Sequence, residues 1–145
     1  MMKPLFNSQE EKAYENLKVS CERFGYEVFA KIRVADVLPI EASGISTDLY
    51  SFALKSHFDF VVYDSLRTPL FAVEFDGPTH LKTNQARRDA KKDELCKRFK
   101  FPLLRTIQSH ISKKYRNLTI LSWIVEVYHL ETAFNEAQEK GLIPY

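Results

Sequence analysis

Two runs of strand-forming residues, separated by a short turn segment, most constrain how this chain can fold. The runs are FDFVVYD, residues 58–64, and LFAVEFD, residues 70–76, and they predict a β-hairpin. Residues two apart in a strand point to the same face, so Glu74 and Asp76 share one face of the second strand. The other face carries apolar side chains that predict a core, namely Phe71, Val73 and Phe75.

The pairing register of this hairpin decides whether its acids meet. We assume that Tyr63 pairs with Leu70. In that register Asp59 falls directly opposite Glu74, with Cβ atoms about 5 Å apart. Like charges so placed are destabilising, and a cation between them is the simplest reason for a hairpin to tolerate them. A slip of one residue would separate the acids, and VEFDGPTH, residues 73–80, can also be ordinary turn chemistry after a strand. The core-facing residues of the first strand would be Phe58, Phe60 and Val62.

Helices and further strands surround the hairpin. Asn7 and Ser8 can cap a first helix that ends near Gly25. Residues 35–50 contain Pro, Gly and Ser and predict a long loop. The order α-β-β-β-α-β-α predicts one α/β domain, residues 1–145, with a mixed β-sheet flanked by helices. The remaining elements are a strand at 26–34, a short helix within 51–57, a helix at 84–99, a strand at 102–107 and a last helix at 118–140.

Composition restricts the class of protein and its compartment. Of the 145 residues, 45% are hydrophobic and 28% are charged, which suits a globular domain rather than a disordered chain. No stretch approaches the roughly 20 apolar residues of a membrane span, and the N-terminus lacks the apolar core of a signal peptide. Only Cys21 and Cys96 are present, without a metal-binding or disulfide spacing, so we expect a reduced, cytoplasmic protein.

Charge is distributed unevenly along the chain. Residues 82–116 carry twelve Lys and Arg against three acids, whereas the remainder carries nine basic residues against sixteen acids. One basic segment beside an acidic remainder is typical of a protein that binds a polyanion such as nucleic acid on one face. The alternative is a solvated helix face, because Lys and Arg cover helix surfaces in many proteins.

Two helices place polar side chains where apolar ones are expected. Glu10 ends the apolar stripe of the first helix, either as a first-turn acid or as part of a polar site. In the helix after the hairpin, Arg88 and Lys92 share a face with apolar residues of its second half. Polar groups directed inward are costly unless satisfied, so we predict a functional role for Lys92. Asp89 has a purely structural explanation, an ion pair with Arg88 or Arg105.

The ordered set of these motifs resembles the PD-(D/E)xK nuclease superfamily, and within it small domains related to very-short-patch repair endonucleases. The likeness covers residues 5–107, and the last helix lies outside it. Its motifs are NSQEEKAYENL, Asp59 in FDFVV, Glu74 in AVEFDG, His80, the basic helix QARRDAKKDEL and the strand FPLLR. The resemblance implies a restriction-endonuclease-like fold and metal-dependent endonuclease activity.

The resemblance also implies a role for each matching position. Asp59 and Glu74 correspond to the metal-binding acids, and Glu10 to a glutamate on the first helix. Asp76 stands where the superfamily has a lysine that orients or deprotonates the attacking water. An aspartate supplies no positive charge, so another basic residue would have to substitute, and otherwise the domain has lost catalysis. The candidates are Lys92, Arg88 and His80, the last of which can also be an ordinary loop histidine.

The implied cofactor is Mg²⁺ or Mn²⁺, because phosphodiester hydrolysis needs a cation near the phosphate and hard oxygen ligands select these ions. The ligands would be Asp59, Glu74 and the backbone carbonyl of Phe75, with Asp76 or Glu10 binding a second ion or ordering its waters. Five residues would hold the nucleic-acid backbone without sequence preference, namely Gln85, Arg87, Arg88, Lys91 and Arg105.

The leading prediction is therefore a metal-dependent nuclease that acts on DNA rather than RNA. Two alternatives stay open: a nucleic-acid-binding module of the same fold without cleavage, and an interaction subunit of a larger nuclease complex. A partner protein would supply sequence specificity. A homodimer would supply the second active site that cleavage of both strands of a duplex needs. An apolar face on the last helix either packs on its own sheet or mediates that homodimer. It comprises Leu118, Leu121, Ile124, Val125 and Tyr128.

Overall fold

A four-stranded sheet organises the computed structural model of the chain, which describes residues 2–76 and 83–144. The first strand pairs with the second, and the second with the third, in antiparallel fashion, whereas the fourth lies parallel to the third. Helices cover both faces of this mixed sheet, which confirms the predicted α/β fold class. The strands, in spatial as well as chain order, are β1 Glu27–Arg33, β2 His57–Tyr63, β3 Pro69–Phe75 and β4 Leu103–Thr106.

The helices of the described ranges include two that the predicted element order omits or shortens. α2 begins inside the predicted long loop, because Ser46 caps it by accepting a hydrogen bond from the Leu49 N–H at 3.2 Å. α4 and the strand β5 Lys114–Tyr115 lie where the sequence predicts no regular element. β5 pairs with β6 Leu118–Thr119, which takes the first two residues of the predicted last helix, so that helix begins at Ile120 and not at 118. None of the helices described is long and apolar enough to cross a membrane. They are α1 Ser8–Glu22, α2 Thr47–Lys55, α3 Thr83–Arg98, α4 Gln108–Ser112 and α5 Ile120–Glu139.

Two hydrophobic cores lie on opposite faces of the sheet. α1 and α5 cover the first core with fully buried side chains such as Leu17 and Leu121. α2 and α3 cover the second core, which is built around Val61 and Ala72. Strand alternation therefore divides the hairpin between the two cores. As predicted, the hairpin residues of the first core include Phe60, Val62, Phe71 and Val73, with Phe75 packed at its margin.

One predicted core position is wrong. Phe58 is buried in the second core, where its ring centroid lies 5.9 Å from that of Phe101, and not in the first core beside Phe60. β1 and β2 pair on either side of Lys31, but Lys31 itself has a left-handed backbone with a φ of 55°. This residue interrupts the pleat, so strict alternation does not extend through Asp59 to Phe58.

The β2–β3 register agrees with the prediction over three consecutive pairs. Continued by one residue, this register places Asp59 opposite Glu74. At the turn end a register shift pairs Tyr63 with Pro69, so the predicted pair of Tyr63 with Leu70 is wrong. The shift leaves the acid-bearing end of the hairpin unaffected, because it lies at the opposite end of the strands.

α5 packs on its own domain through the apolar face that the sequence predicts. Leu121 and Val125 are buried in the first core, and the Tyr128 ring lies 4.5 Å from the Phe71 ring between centroids. Of the two roles open for this face, packing on the domain is the observed one.

The first turn of α1 provides a stability test. Asn7 Oδ1 accepts a hydrogen bond from the Glu10 N–H at 2.8 Å, and Glu10 Oε1 accepts one from the Asn7 N–H at 3.2 Å. We expect Asn7→Ala to lower the free energy of unfolding by about 1 kcal/mol, because the helix loses its cap, whereas Asn7→Asp keeps it. Urea denaturation measures both variants, and an unchanged midpoint for Asn7→Ala would contradict this role.

Candidate functional site

The Glu74 and Asp59 carboxylates each accept a hydrogen bond from a backbone N–H across the acid-bearing end of the hairpin. Glu74 is only 4% exposed, and its Oε2 accepts a hydrogen bond from the Asp59 N–H at 2.7 Å. In return, Asp59 Oδ2 accepts one from the Phe75 N–H at 2.8 Å. Each carboxylate thus satisfies a backbone donor of the facing strand beyond the last described ladder pair of β2 and β3, Phe60 with Val73. The two acids close this end of the sheet.

The environment of Glu74 gives it an unusual carboxyl group. Burial, and after it the negative charge of Asp59, raises the pKa of Glu74 to about 7, although Lys92 acts in the opposite direction. The like-charge repulsion expected between the two acids is therefore present. The cation that faces it is an ammonium group.

Lys92 brings that ammonium group to the acids from α3. Its Nζ forms an ion pair with Glu74 Oε1 and donates a hydrogen bond to the His57 carbonyl at 2.8 Å. Nζ also lies 5.7 Å from the centroid of the Phe58 ring, and the side chain is only 12% exposed. The structure therefore brings Lys92 together with Asp59 and Glu74. The sequence predicts that Lys92 is directed inward from this helix, and in the structure it is.

Lys31 reaches the same acids from β1, and no feature of the sequence indicates it. Its Nζ donates a hydrogen bond to Glu10 Oε2 at 2.8 Å and lies 3.7 Å from Asp59 Oδ1. Burial lowers the pKa of Lys31, but the hydrogen bond to Glu10 and the two negative charges outweigh burial and raise it overall. Glu10 is thus the α1 acid at the site, and Glu11 lines a different groove between α1 and α4.

Asp76 belongs to a second group of charges around Arg105 of β4. The Arg105 guanidinium lies 3.8 Å from Asp76, 3.4 Å from Asp89 and 2.8 Å from Asp93. Burial lowers the pKa of Arg105, but the hydrogen bond to Asp93 and the surrounding acids raise it overall. The structural explanation for Asp89 is therefore the observed one. Arg105, predicted to hold nucleic acid, is engaged by acids of its own chain.

A groove of about 500 Å³ separates α2 from α3. Lys92 lines it and also binds Glu74, so the groove and the acids share one side chain. Lys91, another lining residue, lies 3.1 Å from Asp48 across the groove. The groove is rich in basic and hydroxyl groups, which are the side chains that contact phosphate oxygens. Further lining residues are Ser51, Phe52, Lys55, Ser56, His57, Gln85 and Arg88.

The sequence predicts only one wall of this groove. Gln85, Arg88 and Lys91 of α3 lie in the lining, whereas Arg87 is exposed outside it. The opposite wall comes from α2, and its basic contribution is Lys55. The sequence predicts a short helix within 51–57, which contains Lys55, but it gives no indication that this helix faces α3, and it places residues 47–50 in a loop although α2 begins at Thr47.

Asp59 and Glu74 fit a divalent ion. Proteins hold Mg²⁺ through one or two carboxylates, while waters and substrate phosphates complete the shell, and these are hard oxygen donors on adjacent strands. Within residues 2–76 and 83–144, no group of three or more His, Cys, Asp or Glu side chains is placed to hold a metal. Phe75 directs its N–H to Asp59, and Asp76 lies near Arg105. His80 lies outside the described residues.

Comparison with known proteins gives one match. A family model described as "Protein of unknown function (DUF2726)" matches residues 2–120. No curated protein and no solved structure matches the chain. The matched segment contains α1, the whole sheet and the groove helices, and it ends where α5 begins.

The raised pKa of Glu74 predicts a pH dependence of stability. An acid whose pKa is higher in the folded protein than in the unfolded chain stabilises the fold while it is protonated. Its contribution is complete below the unfolded pKa, near 4.3, and is lost as the pH rises through about 7. We expect the wild-type free energy of unfolding to fall by up to about 3 kcal/mol over this range relative to Glu74→Gln, which cannot titrate. Urea unfolding at stepped pH tests this, and parallel profiles would contradict it.

Proposed function

The chain belongs to the DUF2726 family, and we propose that it is a metal-dependent nuclease that hydrolyses phosphodiester bonds in DNA. One observation carries the proposal. Buried Glu74 accepts a hydrogen bond from the Asp59 N–H and forms an ion pair with Lys92, and Lys92 also lines a basic groove. This joins a pair of potential metal ligands to a surface suited to a phosphate backbone. It also supports the resemblance to PD-(D/E)xK nucleases, which stays a prediction.

The acids have the chemistry that such a reaction needs. A bound Mg²⁺ or Mn²⁺ ion would stabilise charge on the phosphate and lower the pKa of a bound water. Asp59, Glu74 and the Phe75 carbonyl would hold the ion, and Asp76 or Glu10 would bind a second ion or order its waters, as the resemblance implies. The Phe75 N–H fixes the orientation of Asp59, and Lys92 fixes that of Glu74.

The groove would hold the substrate strand. Arg88, Lys91 and Lys55 supply positive charge along its walls, and contacts of this kind give affinity without sequence preference. Specificity, or a second cutting site, would then come from a partner protein or a homodimer. We place the protein in the reducing cytoplasm, because Cys21 and Cys96 are free thiols buried in different cores.

A nucleic-acid-binding or interaction module without cleavage is the second candidate, and one observation favours it. Lys92 and Lys31 already face the two acids as cations, so the carboxylates are partnered without a metal. The two candidates differ in metal dependence, because only the nuclease requires Asp59 and Glu74 to bind an ion.

Nuclease activity is tested with Asp59→Asn and Glu74→Gln. Plasmid, linear duplex and single-stranded DNA are incubated with Mg²⁺, Mn²⁺ or EDTA. We expect metal-dependent cutting by the wild type and a loss of at least about 100-fold in each variant, because each removes a charged ligand. Glu11→Gln on α1, away from the acids, is the control and keeps full activity. Cutting that survives both site variants would refute the proposal.

Strand binding in the groove is tested separately, in EDTA, so that cutting does not interfere. We expect Arg88→Ala and Lys55→Ala each to reduce the slope of log affinity against log salt by about 1, because each removes one phosphate contact. Lys97→Ala, an exposed lysine of α3 outside the groove lining, is the matched control. Fluorescence anisotropy with a labelled oligonucleotide gives the slopes. Equal slopes for all four proteins would contradict strand binding in the groove.

A further inference from the structure

Two lysines approach the acids, and they differ in how firmly each is held. Lys92 is 12% exposed, and its ammonium is committed to Glu74 and to the His57 carbonyl. Lys31 is 35% exposed, and it donates a hydrogen bond to Glu10 at 2.8 Å. An ammonium group has three donors, so Lys31 can still donate to a further partner.

The position of the Lys31 ammonium favours an anionic partner next to the acids. Asp59 Oδ1 lies 3.7 Å from it, which is beyond a normal hydrogen bond. A phosphate oxygen beside the Lys31 ammonium, on its solvent side, would therefore gain a charge-assisted hydrogen bond without breaking the one to Glu10.

The backbone of Lys31 is strained within a strand. Its φ of 55° places it in the left-handed region, which Gly adopts without cost and Asn more readily than other residues. Lysine has neither the conformational freedom of Gly nor the short polar side chain of Asn, which lower the cost of this backbone conformation. Strained residues of this kind cluster at functional sites, where the surrounding structure holds them in place. The side chain that this backbone carries ends between Glu10 and Asp59.

Position 76, two residues after Glu74 and on the same face of the strand, does not carry a cation. Asp76 stands there, and its described neighbour is Arg105, which two further acids engage. Within residues 2–76 and 83–144, the positive charge near the acids therefore comes from other elements. Among the described side chains, Lys92 and Lys31 contact the acid pair, and Lys92 is already committed.

We infer that Lys31 is the cation that contacts the scissile phosphate, and that Lys92 is a positioning residue that fixes Glu74. The inference rests on the proposed nuclease function. In the reaction, the water oxygen forms a bond to phosphorus and the bond from phosphorus to the leaving oxygen breaks. The water loses a proton to solvent, and the leaving oxygen gains one from solvent. Lys31 stays protonated throughout and donates hydrogen bonds to non-bridging phosphate oxygens, where charge accumulates.

The test compares two lysines that share a strained backbone. Lys100 has a φ of 53° and is exposed on the loop after α3. Lys31→Asn and Lys100→Asn make the same chemical change and relieve the same kind of strain. Lys31→Gly is a second uncharged variant, and Lys31→Arg keeps the charge. For each protein, kcat and KM are measured on plasmid DNA with Mn²⁺, Tm by thermal unfolding, and Mn²⁺ affinity by calorimetry without DNA.

We expect Lys31→Asn and Lys31→Gly to lower kcat by about 100-fold, with a much smaller change in KM and no fall in Tm. Mn²⁺ should bind no more weakly, because an ammonium 3.7 Å from Asp59 has been removed. Lys31→Arg should recover part of kcat, and Lys100→Asn should match the wild type in activity.

Three outcomes would overturn the assignment. Wild-type kcat in Lys31→Asn and Lys31→Gly refutes it while the nuclease proposal stands. A loss of kcat that comes with lower Tm and weaker Mn²⁺ binding shows that Lys31 organises the fold instead of contacting substrate. A wild-type protein that cuts no substrate with either metal removes the proposed function, and this assignment with it.

Discussion

The burial of Glu74 is the constraint on which the site depends. A buried carboxylate is costly unless hydrogen bonds and an opposite charge compensate it. Here the Asp59 N–H, from the facing strand, and the Lys92 ammonium, from α3, provide this compensation. Because the two partners come from separate elements, satisfying one side chain fixes the position of α3 against the hairpin.

This arrangement links the sheet to the groove. The Lys92 side chain forms an ion pair with Glu74 and also lines the groove. Its neighbour Lys91 forms an ion pair with Asp48 of α2 across the groove. Displacement of α3 would therefore change the groove width and expose the acid at the same time. A ligand that holds α2 and α3 together would stabilise the ion pair without touching it.

The parts of the site that follow from strand and helix periodicity were predictable from sequence. Alternation and a short hairpin place Asp59 opposite Glu74, and helical spacing directs Lys92 inward. Other parts depend on local conformations that residue types do not reveal. The left-handed backbone of Lys31, within β1, directs its side chain to the acids and accompanies the shift of Phe58 to the other core. A short helix within 51–57 was predicted, but its position opposite α3 as the second wall of the groove depends on tertiary packing.

The hydrogen bonds that the Asp59 and Glu74 carboxylates accept from the facing strand affect how related sequences should be interpreted. Each acid satisfies a backbone donor that would otherwise lack a partner, so selection for folding alone would retain both after catalysis was lost. Under the proposed function, the acid pair can therefore persist in relatives that have lost cutting. Lys31 pairs with side chains and satisfies no backbone donor, so its replacement by Gly or Asn would identify those relatives.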